Sequence, residues 1–433
     1  MVQIDNMKNL YSAIKDHEKE IIISSNLTLD SSLILPKDTS LSGAARKDGS
    51  YPALLFPEND GIGLTKNNTI KNLAIVTDPK HKAIFNAGIK SDLGSFILDH
   101  LELVGQLSFI TRGSTKNSKI EINDLTIHSA DSRHYPEQPQ KYGVNVYQGA
   151  LTIYNFNPDP ASLIHVKATN VSIGQKNAPV IGSGIFIGGF GDLGGKVEIS
   201  KLTTEDVYST GKLPFGVADI ITGAIFIVNG AHAKNIIQNG ESATYGVNDM
   251  VLDNWGTVDD WLVKKAVTSY GPSGIGFVNF GTVKNFKITA PIETYGLGAR
   301  GYNQYDGTLV DGAFDSISTY ANGAIAVQIS KKVGSLTFNG DLKTFGAVGN
   351  PLLKGVNVTL PAYGLSVKTG GSIEKLVVKG NIVTSGKKVT SLIVEKDGMI
   401  KDFDIQGKII ANGNKSEKIE DVSGSGISYH QAK

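Results

Sequence analysis

Between residues 223 and 346 apolar and polar positions alternate with period two, as in Met250, Leu252 and Asn254, and no 3.6-residue spacing is present. Val, Ile, Thr, Tyr and Phe fill the runs and Gly stands at their ends, which predicts short strands joined by tight corners. The pattern repeats. Thr244-Tyr245-Gly246, Ser269-Tyr270-Gly271, Thr294-Tyr295-Gly296, Thr319-Tyr320-Ala321 and Thr344-Phe345-Gly346 follow one another every 25 residues. Ile225, Met250, Ile275, Arg300 and Ile325 form a second column, and Ile227, Leu252, Phe277, Tyr302 and Val327 a third. A fixed period of this size marks a repeat architecture in which each unit is one supersecondary element. Three strands and three turns fit in about 25 residues, because a strand advances roughly 3.3 Å per residue. The expectation is an all-β chain wound as a single-stranded parallel β-helix.

Asn229, Asn254 and Asn279, continued by Gln304, form a polar column inside this pattern. Stacked inward amides donate to and accept from the coil above, so they stay satisfied when buried. The coils and this column resemble those of right-handed parallel β-helix proteins, the pectate-lyase-like superfamily. The resemblance implies a right-handed helix and a carbohydrate-active protein. A polygalacturonase-type Gly-His-Gly triplet is absent.

Elsewhere the pattern is less regular. Residues 7–18 place Leu10, Tyr11 and Ile14 on one helical face, a short N-terminal helix expected to cap the open end of the core. The reading is a single β-helix domain over 1–433: a cap at 1–43, irregular coils at 44–222, regular coils at 223–346, C-terminal coils at 347–412 and a polar tail at 413–433. Three insertions interrupt it. Residues 129–141 carry Asp131, Arg133, His134 and Tyr135; 208–219 carry Lys212 and Pro214; 349–361 carry Pro351 and Lys354. Long ordered loops on rigid scaffolds often carry function, so the first two are expected to wall a cleft.

Composition narrows the function. With 42 basic and 41 acidic residues the net charge is +1, which supplies no field for nucleic acid. The absence of cysteine excludes disulfides and thiolate metal sites, and no histidine pair has metal-ligand spacing. No metal and no cofactor are expected. No run approaches the ~20 apolar residues of a membrane span, and no signal peptide opens the chain. The expectation is a cytoplasmic protein, extracellular if a leader was removed, without a membrane partner; a homo-oligomer stays open.

Strict alternation would turn Met250, Leu252 and Asn254 inward and Val251, Asp253 and Trp255 outward. The outward columns then read Val251, Gly276, Gly301, Ala326; Asp253, Val278, Asn303, Gln328; and Trp255, Phe280, Tyr305. A Gly/Ala floor beside acids, amides and aromatics has the make-up of a sugar-binding groove, or of a surface packed under loops. Arg300 breaks an otherwise aliphatic column, and Asp249 lies roughly 10 Å away by backbone as a partner. Asp306 occupies one extra residue at a corner, removed again before Thr319, as in a β-bulge. Asp253 and Asp306, roughly 13 Å apart by backbone, could converge to the ~6.5–9.5 Å of an inverting glycosidase pair. The function expected is a carbohydrate-active enzyme, hydrolase, lyase or sugar-transferring, with Asp253, Asp306 and Arg300 catalytic. Asp249, Trp255, Asn303, Tyr305 and Glu293 would bind the substrate. The alternative is a non-catalytic glycan-binding or assembly β-helix.

Overall fold

The computed structural model describes residues 1–353 and 355–424, so Lys354 of the third insertion and the end of the polar tail lie outside it. The described chain is nearly all β, its strands paired in parallel and stacked rung upon rung like a parallel β-helix. It divides into two compact units. The first comprises Met1–Pro139, Tyr147–Ser209 and Ile227–Asn235; the second comprises Gln140–Val146, Thr210–Phe226 and Ile236–Lys433. No helix among the described residues is long and apolar enough to cross a membrane.

In the first unit the helix Met7–Lys15 begins where the Asn6 side chain accepts the Asn9 amide at 2.9 Å, satisfying a donor the helix end leaves free. It buries Leu10 and Ala13, while Tyr11 reaches out to donate to Asp30. Two parallel ladders follow. One runs through Glu20–Ile23, Ser40–Gly43, Thr69–Thr77, Asp92–Val104, Asn117–Ser129 and Leu163–Ile173. The other runs through Leu33–Ile34, Ile62–Leu64, Lys82–Asn86, Gln106–Arg112, Gly149–Phe156 and Ser183–Gly188. The first ladder bends at one corner on consecutive rungs, where Asn72, His100, Asp124 and Asn170 all take positive φ near 50°. Asn and Asp tolerate this conformation, and the Asn170 side chain donates to Asp124 across rungs; beside the same corner Asn123 donates to Asp99, both at 2.8 Å.

The second unit holds the regular repeat. Each rung gives one strand to each of three parallel ladders: Ser242–Thr244, Asp249–Asn254 and Thr257–Val263, then Val267–Ser269, Ile275–Asn279 and Thr282–Ile288, and so on. Leu252 pairs with Phe277, Phe277 with Tyr302 and Tyr302 with Val327, all fully buried. Phe277 stacks on Phe286 at 4.1 Å and on Tyr302 at 5.3 Å inside the rungs. The polar column lies inside as well: Asn254 donates to Asn279 at 2.8 Å, and Asn279 to Gln304 at 3.2 Å. The extra residue at Asp306 is visible in the register. Asn279 pairs with Gln304, but Thr282 pairs with Thr308, and the original offset returns at Ile292 with Ile317.

One face assignment needs correction. Val251 and Leu252 are both fully buried, so strict alternation fails at this point of the strand. Gly276 and Gly301 are inside rather than on an outward floor. A Cβ on either would stand 2.3 or 2.1 Å from the Cγ2 of Ile292 or Ile317, so only glycine fits. The preceding residues Met250, Ile275 and Arg300 therefore turn to the outer face. Alternation also turns one of the Thr and Tyr columns inward, and burial decides which. Thr244, Ser269, Thr294, Thr319 and Thr344 are fully buried, whereas Tyr270, Tyr295, Tyr320 and Phe345 stay exposed outside. From Tyr245 to Phe345 the rings stack at 4.6–5.2 Å, so each inner ring has both faces covered and leaves its edges to solvent.

Candidate functional site

The second unit carries a groove of about 280 Å³ on the outer face of the Asp249–Asn254 ladder. Its base comes from Met250, Ile275 and Arg300 in one column and Asn303 and Gln328 in the next. Its sides come from insertions. Lys141 pairs with Val144 across the two-residue turn Tyr142-Gly143, both at positive φ, the geometry of a type I′ hairpin. The hairpin is held by pairing of Asn145 with Ile220, and Tyr142 donates to the Phe280 carbonyl at 3.3 Å. Ala218 and Leu353 complete the rim from the other two insertions. The wall expected from 129–141 is thus made by the residues just after it. His134 and Tyr135 of that insertion border a separate cleft of about 440 Å³ in the first unit, with Glu58, Asp60 and His81.

The aromatic row is present and mostly covered. Trp255 is 3% exposed beneath Tyr142 at 5.3 Å, Phe280 packs against Tyr142 at 4.5 Å, and Tyr305 packs at a tilt on Phe280 at 4.7 Å. Only Tyr305, 43% exposed, keeps a large free surface.

Arg300 is 9% exposed and pairs with no carboxylate among the described residues. Its Nε donates to Gln328 Oε1 at 3.2 Å and its Nη1 to the Gly298 carbonyl at 3.0 Å. Burial lowers its pKa to about 10, and Tyr305 acts weakly the other way. Asp249, expected to meet it, instead accepts from Thr222 Oγ at 2.7 Å and from the Gly246 and Gly211 amides at 2.6 and 3.1 Å. It ties the start of the second insertion to a corner of the repeat. Burial pushes its pKa up to about 6 against those hydrogen bonds.

Asp253 is fully buried, and neither carboxyl oxygen has a hydrogen-bond partner. Burial raises its pKa well above the carboxylate range; the Trp255 indole and Asn254 amide oppose this without completing a hydrogen bond. Asp306 stands half-buried at its bulged corner, its carbonyl accepting from Gln304. Glu293 lies with the tyrosine ladder, accepting from Tyr295 at 3.2 Å and Tyr320 at 3.0 Å. Of the expected site residues the structure therefore brings Arg300, Asn303 and Tyr305 to the groove lining. Asp249, Asp253, Asp306, Trp255 and Glu293 are not in that lining.

Sequence reasoning left out Tyr142, Asn248, Ser273 and Leu353, which the groove contains. Gln328, which the sequence placed in one outward column with Asn303, is in the lining beside it. Among the described residues no group of three or more His, Asp or Glu is placed to hold a metal ion. No family model matches the chain, and no curated protein or solved structure shows significant similarity to it.

Proposed function

We propose that this chain is a right-handed parallel β-helix of about 25-residue coils, pectate-lyase-like in architecture, that binds glycan in the groove of its second unit. The observation that carries the reading is the groove's lining. The rings of Tyr142, Phe280 and Tyr305 stand beside the amides of Asn248, Asn303 and Gln328, with no carboxylate among the described lining residues. Aromatic surface suits the apolar face of a sugar ring, and amides suit its hydroxyls. Most glycosidases place two carboxyl groups across the scissile bond. Asp253 is sealed beneath the surface and Asp306 stands outside the lining, so binding is favoured over hydrolysis.

The test is a panel of neutral and acidic oligosaccharides, followed by melting shift and by product analysis. Saturable binding without turnover, weakened by Tyr305→Ala and unaffected by Asp306→Asn, is expected. Turnover that Asp306→Asn abolishes would restore the enzyme reading, and binding by no member of the panel would remove the glycan reading.

A further inference from the structure

We infer that the groove's ligand carries an oxyanion, held by Arg300 Nη2 and Asn303 Nδ2. This rests on the groove being the binding site proposed above, and its argument is independent of whether the rest of the ligand is sugar. Arg300 has five N–H donors and no acceptor. Gln328 takes Nε and the Gly298 carbonyl takes Nη1, which leaves Nη2 without a hydrogen bond. Because a guanidinium only donates, the Gln328 side chain must turn its oxygen toward Arg300. Its Nε2 then faces Asn303, and donates to Asn303 Oδ1 at 3.4 Å. That in turn directs Asn303 Nδ2, which has no acceptor, away from Gln328. Neither Nη2 nor Nδ2 is among the unpaired side-chain atoms closed off from solvent. One charged group thus orients two side chains, Gln328 and Asn303, and leaves donors without acceptors in the groove.

The energetics point the same way. A guanidinium nine-tenths out of water, without a counter-charge, is costly to hold, and a bound anion relieves that cost. Arg300 stands at a place where its rung neighbours Ile275 and Ile325 are aliphatic, so no structural ion pair explains it. Asn303 is 3% exposed and Gln328 9%, which makes the site built rather than a loose surface lysine cluster. A planar guanidinium with one edge fixed by the protein presents its other nitrogen to a carboxylate, sulfate or phosphate oxygen. The flanking Met250 and Ile275 suit an apolar ring behind that anion.

The experiment is calorimetric titration of the full chain with four probes: a glucuronate-terminated disaccharide, its neutral glucose counterpart, a sulfated glucose and benzoate. Wild type is expected to bind at least one anionic probe about 10–100-fold tighter than the neutral sugar, the range of a charge-assisted hydrogen bond. Arg300→Met should abolish that preference, and Arg300→Lys should restore only part of it. Asn303→Asp supplies a carboxylate in place of the ligand's. It should raise the melting temperature while removing anion binding, so the proposal is tested even if Arg300→Met fails to fold. Arg300-dependent binding of benzoate with no sugar bound would keep the oxyanion site and remove the glycan reading. Equal binding of neutral and anionic sugars, or a preference that survives Arg300→Met, would overturn the inference and leave the glycan reading standing. No anion bound by wild type, with Asn303→Asp no more stable than wild type, would also overturn it.

Discussion

Replacing Asp253 by Val should stabilise the protein, and the gain should grow with pH. Asp253 pairs in the ladder with Val278, so the neighbouring rung already accepts valine at this position. Both carboxyl oxygens are buried without partners. Even uncharged, such a group costs about 1–3 kcal/mol relative to an apolar side chain of similar size. The pH dependence follows from the raised pKa. Above the ordinary carboxylate pKa near ~4 the unfolded chain gives up this proton while the folded chain keeps it. The folded state then binds more protons, so stability falls as pH rises, by about 1.4 kcal/mol per unit, until the folded pKa is passed. This is opposite to a salt-bridged aspartate, whose stabilisation is lost toward acid. Asp249 adds a similar slope up to about pH 6, but it is common to both proteins and cancels in their difference. The assay is urea denaturation of wild type and Asp253→Val at several pH values from about 4.5 upward, the difference growing by about 1.4 kcal/mol per unit for as long as the folded chain keeps the proton. A difference that stays flat with pH, or a variant less stable than wild type, would refute the reasoning.

Two further outcomes concern the rungs. Asn279→Leu removes the acceptor of Asn254 and the donor to Gln304 and the Thr308 carbonyl, so it should cost roughly 1–3 kcal/mol in denaturation; an unchanged midpoint would count against the internal amide column. Tyr295→Ala removes two ring stacks and one hydrogen bond to Glu293, and should cost about 1–2 kcal/mol while leaving groove binding intact; a loss of binding would show that the ladder shares the ligand.

The repeat was legible because stacking imposes it. Each rung must place Thr or Ser inside and an aromatic outside at the same corner, so the tripeptides recur in register. The bulge at Asp306 was legible for the same reason, as one residue out of step in a fixed period. The strand phase was harder to read. Alternation implied that Met250 faces inward, yet Gly276 and Gly301 in the next column report an interior too crowded for a Cβ. Arg300 stood out as a misfit in an aliphatic column, but it turns to the outer face and is bonded by Gln328 and the Gly298 carbonyl, not by the carboxylate expected of Asp249. Tyr142 was invisible, because its bond to Phe280 spans 138 residues and no local pattern encodes a contact that remote.

A crystal structure of the chain with the tightest-binding acidic sugar tests most directly whether a ligand's anionic group sits on Arg300 in the groove. Ligand density is expected between Tyr142 and Tyr305, with a carboxylate or sulfate oxygen within about 3 Å of Arg300 Nη2. Density in the first unit's cleft beside Glu58, Asp60 and His81, with the groove empty, would contradict it.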